Sequence, residues 1–179
     1  MIYMFLAHGF EETEALTPLD LLRRAGLEVT TVGIGGELVT GSHGITVQAD
    51  IVDSVFHDDK PDMVILPGGM PGTRNLDASP VVDAALKATA ASDGYLAAIC
   101  AAPMVLGKRG LLKGKRAICF PGFEKFLDGA ILSNRHVVRD GKTVTAAGMG
   151  VALDFGLELV AMLCGDVAAE NLRASIIAG

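Results

Sequence analysis

Short wholly apolar runs alternate along this chain with longer stretches in which apolar residues recur every three or four positions, which predicts strands alternating with amphipathic helices. Ile2 to Ala7 reads as a first strand. After His8-Gly9-Phe10, a helix is predicted from about Glu12 to Ala25, with Gly26 as its stop signal. Leu27 to Val32 follows as a second strand, so the first 33 residues form a βαβ unit with parallel strands and a right-handed connection. From Gly33 to Asp53 the runs shorten to Leu38–Thr40 and Ile45–Val47 between glycine turns, a hairpin-like excursion. Met63-Val64-Ile65-Leu66 is apolar throughout, as a strand buried on both faces requires, and the Pro67 to Gly72 segment stops it. Ser79-Pro80 supplies an N-cap and a first-turn proline for a helix reaching about Ala91. Tyr95 to Ile99 is the next buried strand, and from Ala101-Ala102 a helix runs to about Lys108. Arg116 to Cys119, then Val137–Val138 and Thr143–Ala146 joined by Asp140-Gly141, complete the strands, and Val151–Cys164 and Val167–Ile177 are helical.

This alternation predicts an α/β sandwich, with helices on both faces of a mostly parallel central sheet. Ligands in such sheets sit at the carboxyl ends of the strands, which directs attention to loops 8–14, 67–73 and 100–103. At 179 residues the chain is expected to be one domain spanning 1–179, and it carries no internal repeat, linker or low-complexity tract.

Composition narrows the partners. With 15 Lys+Arg against 21 Asp+Glu the net charge is −6 and the basic residues form no block, so nucleic acid and anionic membrane are poor expectations. No apolar run approaches the ~20 residues that span a bilayer. Three widely spaced cysteines, with no C-x-x-C pair, argue against a disulfide framework or structural zinc and fit free thiols in the cytoplasm.

Of these, Cys100 is the chemical candidate. Ala98-Ile99-Cys100-Ala101-Ala102 places it between small residues at a strand-to-helix junction, the arrangement of a nucleophile elbow. A helix N-terminus there predicts a lowered thiol pKa. Cys119 and Cys164 read as strand and helix core positions. Pro67-Gly68-Gly69 can bring backbone N–H groups close to a ligand and hold a developing oxyanion, and without the G-x-x-x-x-G-K pattern it is no phosphate loop. Glu11, Glu12 and Glu14 crowd the first helical turn, where carboxylates suit the dipole; one turned inward is a general acid or base, and spacing does not select which. His8, His43, His57 and His136 lack metal-ligand spacing, and the expectation is that no metal is bound; His8 and His43 lie in loops where the fold can bring them to the cysteine.

His8-Gly9-Phe10-Glu11-Glu12-Thr13-Glu14-Ala15, Leu22-Arg23-Arg24-Ala25-Gly26, Leu66-Pro67-Gly68-Gly69 and Ala97-Ala98-Ile99-Cys100-Ala101-Ala102-Pro103 together resemble the ThiJ/PfpI superfamily, in its DJ-one/YajL branch, over essentially the whole chain. The resemblance implies a flavodoxin-like three-layer sandwich, a homodimer, and a reactive cysteine at Cys100 faced by Glu14. Gly68, Gly69 and Ala101 match its oxyanion and substrate-binding positions, and His43 and Phe120 fall where a substrate or dimer contact is implied. Three departures stand out. Ala101 follows the cysteine where protease-like members carry histidine, so peptidase chemistry lacks its base. Phe120 replaces a histidine found near the cysteine in the animal branch, and Ala146 to Val151 keeps two glycines of the family loop but not its Arg, Pro and Thr.

The chemistry implied is cofactor-free: Cys100 adds to a small 2-oxoaldehyde, Glu14 moves a proton between its carbons, and a 2-hydroxy acid is released, as in glutathione-independent glyoxalase (glyoxalase III) or a deglycase of early glycation adducts. The alternative is an oxidative-stress sensor with chaperone-like activity, in which Cys100 is reversibly oxidised beside Glu14. A third reading is a scaffold whose cysteine only packs.

Overall fold

The computed structural model describes residues 1–58 and 60–178. In chain order the strands are β1 (Ile2–Leu6), β2 (Val29–Gly33), β3 (Leu38–Thr40), β4 (Thr46–Gln48), β5 (Ile51–Val52), β6 (Met63–Leu66), β7 (Tyr95–Ile99), β8 (Arg116–Ala117), β9 (Ile131–Leu132), β10 (Val137–Asp140) and β11 (Thr143–Ala146). The helices are α1 (Glu12–Arg24), α2 (Gly72–Ala78), α3 (Pro80–Ala91), α4 (Pro103–Gly107), α5 (Ala152–Cys164) and α6 (Asp166–Ser175).

Seven strands form one sheet in the order β10-β11-β7-β6-β1-β2-β5. All pairings are parallel except that of the edge strand β10 with β11. β6 and β7 are buried along almost their whole length because both faces are covered, which is why their sequences do not alternate. On one face, Ala15, Leu19 and Leu22 of α1 and Phe155 and Leu159 of α5 join Met4, Ile65 and Ile99 in a core cluster. On the other, Leu76, Val82, Leu86 and Val105 of α2, α3 and α4 cover Phe5, Val64 and Leu66. Helix α5 approaches α1 at Gly156, where a Cβ would stand 2.9 Å from Pro18 Cα, so this crossing depends on the missing side chain.

Strand β1 lies between β2 and β6, so the chain passes to opposite sides of β1, and the crevice this creates lies outside the carboxyl ends of β1 and β6. The excursion predicted between 33 and 53 is an antiparallel β3–β4 hairpin followed by β5.

Four features differ from expectation. Helix α2 occupies 72–78, directly after the glycine-proline segment and overlapping the expected loop 67–73. The helix after Cys100 is shorter, with 101–102 in a turn before α4. Strand β8 stops at Ala117, and Cys119 is buried in the loop beyond it. Cys164, the last residue of α5, is exposed rather than in the core. Among the described residues no helix is long and apolar enough to cross a membrane.

Candidate functional site

Glu11 fixes the start of α1: as N-cap it accepts the Glu14 N–H on its carboxylate at 2.7 Å. This sets the helical phase and gives the three neighbouring glutamates three different surroundings. Glu14 turns into the crevice and is 1% exposed. Glu12 turns the other way, beneath the turn that joins β3 to β4. Its Oε1 accepts the His43 N–H at 2.7 Å and its Oε2 lies 2.9 Å from the His43 Nδ1. Burial pushes the Glu12 carboxyl up, but the hydrogen bonds from the His43 ring and from the backbone N–H groups of His43 and Ile45 outweigh it and hold the group at about 2. The hydrogen bond to Glu12 and its charge push His43 up from its ordinary value. A Cβ at Gly41 would meet the Glu12 carboxylate at 2.4 Å, so the glycine lets the turn close on it.

Two loops are stitched together at the carboxyl ends of β1 and β6. The Glu11 N–H donates to the Gly68 carbonyl at 2.9 Å, and the Gly72 N–H donates to the Gly9 carbonyl at 3.1 Å. At Gly68 a Cβ would come within 2.5 Å of Glu14 Oε2 and 2.6 Å of Cys100 Cβ, so the glycine permits the carboxylate and the cysteine to close on this loop. The Gly68 N–H donates to Glu14 Oε2 at 3.0 Å. Gly68, one of the expected oxyanion or substrate positions, thus has its N–H on the Glu14 carboxylate.

Cys100 follows β7 with φ +64°, a left-handed conformation uncommon outside glycine and the geometry of a nucleophile elbow. Both of its peptide groups are tied down: its N–H donates to the Ala146 carbonyl and its carbonyl accepts the Phe120 N–H, each at 2.8 Å. The Cys100 side chain and the Glu14 carboxylate close on the same glycine, Gly68, and Glu14 together with the backbone N–H groups of Ala101 and Gly69 acts on the thiol. Burial is the main cause that pushes the Cys100 thiol up, to about 12, followed by the charge of Glu14 and its hydrogen bond, against the pull of the two N–H groups. The lowered thiol pKa expected from a helix N-terminus is reversed by burial and Glu14; α4 itself is only five residues long and begins three residues beyond the cysteine. For Glu14, burial likewise dominates and carries the carboxyl up to about 7; the Glu11 charge adds to this, while the bonds to Cys100 and Gly68 oppose it.

The remaining candidates are placed as follows. His43 is exposed and bonds Glu12, with no contact to the sulfur; the His8 ring accepts the Thr40 N–H at 3.1 Å. Phe120 stands next to Cys100, a proximity that only its place in the family pattern could have suggested. Ligand-type atoms of Glu11, Glu12 and His43 lie within 4.8 Å of one another. The Glu12 oxygens there are already filled by the loop they anchor, which suits a structural role better than a cation.

This geometry defines a nucleophile-elbow protein on a flavodoxin-type sheet, with a buried carboxyl and two backbone N–H groups around one cysteine. Comparison with known proteins narrows the class: the DJ-1/PfpI family model matches residues 1–162, and the chain belongs to that family. It is 34% identical to Drosophila melanogaster protein dj-1beta over 97% of this chain and 95% of that protein. To the glutathione-independent glyoxalase DJR-1.2 of Caenorhabditis elegans it is 31% identical, over 90% of this chain and 87% of that one. The solved structure of oxidized Toxoplasma gondii DJ-1 superposes with a TM-score of 0.94 at 34% identity, covering 98% and 97% of the two chains.

Proposed function

We propose that the site converts small 2-oxoaldehydes, or their early adducts with amines, to 2-hydroxy acids without glutathione, with Cys100 as nucleophile and Glu14 as proton carrier. The observation that carries this reading is the convergence of Cys100 and Glu14 on Gly68, with the Gly69 and Ala101 N–H groups acting on the same thiol. The C. elegans relative named as a glutathione-independent glyoxalase supports it.

Above about 7 the pair holds one proton, on the thiol. As substrate arrives, the thiol proton passes to the Glu14 carboxylate and the sulfur bonds the aldehyde carbon. The carbonyl electron pair moves to oxygen, where the Gly69 and Ala101 N–H groups receive the charge. Glu14 returns its proton to that oxygen, giving a hemithioacetal. The freed carboxylate then removes the proton on the former aldehyde carbon, and the electron pair shifts to form an enediolate. Glu14 reprotonates the neighbouring carbon, and the hydroxyl proton of the sulfur-bearing carbon passes to the neighbouring oxygen, leaving a thioester. Water cleaves it, releasing the 2-hydroxy acid and the thiol, so the sum is addition of one water. A carboxyl at about 7 suits a group that must both give and take a proton.

The pH dependence follows with its sign. Below about 7 Glu14 is protonated and cannot receive the thiol proton; above it the carboxylate is free while the thiol, at about 12, still holds its proton. Steady-state assays with methylglyoxal are expected to give kcat/KM that rises through an apparent pKa of about 7 to a plateau. A rate falling across that range would contradict the assignment of Glu14 as base.

A second reading has its own support. A Glu14 carboxyl that keeps its proton near neutrality can donate to a sulfinate oxygen on Cys100, and an oxidized DJ-1 is among the structural relatives. In that reading the cysteine is a peroxide sensor with chaperone-like binding.

A further inference from the structure

The lip of the Cys100 crevice has a composition that the reaction itself does not require. The Phe120 N–H bonds the Cys100 carbonyl at 2.8 Å, and the Phe120 ring lies over Gly148, where an added Cβ would stand 3.3 Å from Cδ2 and 3.8 Å from Cε2. Gly148 is two residues beyond Ala146, whose carbonyl accepts the Cys100 N–H. Thus the ring and the bare backbone it covers belong to segments bonded to both peptide groups of the cysteine. Phe120 is nevertheless 48% exposed, which leaves apolar area open in the segment bonded to Cys100. Met70 and Met149, next in sequence to Gly69 and Gly148, are also exposed.

Carboxylates stand on both sides of this lip. Glu14 and Glu11 lie on the helix side. Glu124 accepts the Gly122 N–H at 2.7 Å on the Phe120 side, and its charge reaches Cys119, the residue before Phe120. The neighbouring Lys125 ammonium is turned to the Phe126 ring at 5.1 Å, and the His43 ring is held by Glu12. His136, whose carbonyl accepts the Ala147 N–H, is the other imidazole on this side.

We propose that Phe120, laid over Gly148 beside Cys100, determines specificity and selects 2-oxoaldehydes whose second carbon carries an uncharged apolar group, aryl above methyl, over those carrying an anionic one. The physical reason is twofold: a flat apolar substituent removes the exposed ring and glycine backbone from water, and a carboxylate or phosphate there meets the like charges of Glu11 and Glu124. The substrate class rests on the glyoxalase reading, but the selectivity of the lip does not.

The two are separated by labelling. The protein is treated with phenacyl bromide and with 4-carboxyphenacyl bromide, reagents of one shape that differ in charge, and modification is followed by mass spectrometry at Cys100 and at the exposed Cys164, which serves as reference thiol in the same molecule. The preference for the neutral reagent is expected to be at least about fivefold greater at Cys100 than at Cys164, and to fall toward the Cys164 value in Phe120→Ala. Equal preferences at the two thiols, or a preference that Phe120→Ala leaves intact, overturns the proposal. In turnover, Phe120→Ala is expected to lower kcat/KM for phenylglyoxal at least about fivefold more than for methylglyoxal, mainly through KM, with Phe120→Leu intermediate. An equal loss on both substrates overturns the proposal, whereas a wild-type protein that turns over neither refutes the glyoxalase reading and leaves the labelling ratio to decide the lip.

Discussion

Replacing Glu14 by Gln is expected to stabilise the protein at pH 8 while removing about 10³-fold of its turnover, within the usual range for a general acid–base group. Both effects come from one burial. The Glu14 carboxyl is carried from its ordinary 4.5 to about 7 chiefly because it is shut away from water. The native state therefore retains a proton that the unfolded chain gives up between these values. Stability from this group is complete below about 4.5 and is lost as pH rises to about 7, above which the ionised carboxylate costs about 3 kcal/mol. Gln keeps the volume and an oxygen for the Gly68 N–H, with no charge to bury. Denaturant unfolding at pH 5 and pH 8 should show a gain of about 2–3 kcal/mol for the variant at the higher pH and little at the lower. Lower stability at pH 8 would mean that the carboxylate is better solvated or paired than its surroundings suggest.

A second large effect is expected away from the site, at Arg109. Its Nη1 donates to Asp77 Oδ1 at 2.8 Å and to the Val105 carbonyl at 2.9 Å, its Nε to Asp83 Oδ1 at 2.9 Å, and its Nη2 to the Asp77 carbonyl at 3.0 Å. One side chain thus ties together α2, α3 and α4, the helices covering one face of the sheet. Its side chain is only 13% exposed, against 20% and 33% for the two aspartates, so solvent screens these bonds less than at an open surface. Arg109→Met leaves Asp77 to Lys108 and Asp83 to Lys87, but two backbone carbonyls lose their donor. The expected loss is about 2–3 kcal/mol, or roughly 5–10 °C in Tm for a chain of this size. Arg109→Lys should recover less than half, because an ammonium cannot span the same fork. A Tm within about 1 °C of wild type would show that the network is solvated.

The parts of this molecule legible in its sequence are those decided locally. Met63–Leu66 and Tyr95–Ile99 are apolar because helices cover both faces of the sheet, and a run without alternation records that burial directly. The cap at Ser79-Pro80 marks the start of α3 for a similarly local reason. Helix α2 was not legible. Its seven residues open with glycine, carry no apolar period, and are held by distant groups such as Arg109 on the Asp77 carbonyl and Asn75 donating to the His8 carbonyl at 2.8 Å.

At the site, Cys100 showed itself through its small neighbours, but the state of its thiol did not. Proximity to a helix start argued for a lowered pKa, and burial together with Glu14, 86 positions earlier, reverses the direction. Among the three glutamates, spacing left the choice open and only the family pattern pointed to Glu14; the Glu11 cap settles the phase that sends Glu14 inward and Glu12 under the hairpin turn. Gly68 was readable as a close approach, though what approaches it is a carboxylate of this chain.

The central claim is that Cys100 and Glu14 carry out glutathione-independent chemistry on a 2-oxoaldehyde. It is tested most directly by following methylglyoxal by proton NMR without glutathione, with wild-type protein and Cys100→Ser at equal concentration and reduced thiols verified by mass. The account predicts many turnovers to lactate by the wild type and none above background by the variant. Equal lactate from both, or none from either while peroxide adds oxygen at Cys100 ahead of Cys119 and Cys164, would contradict it.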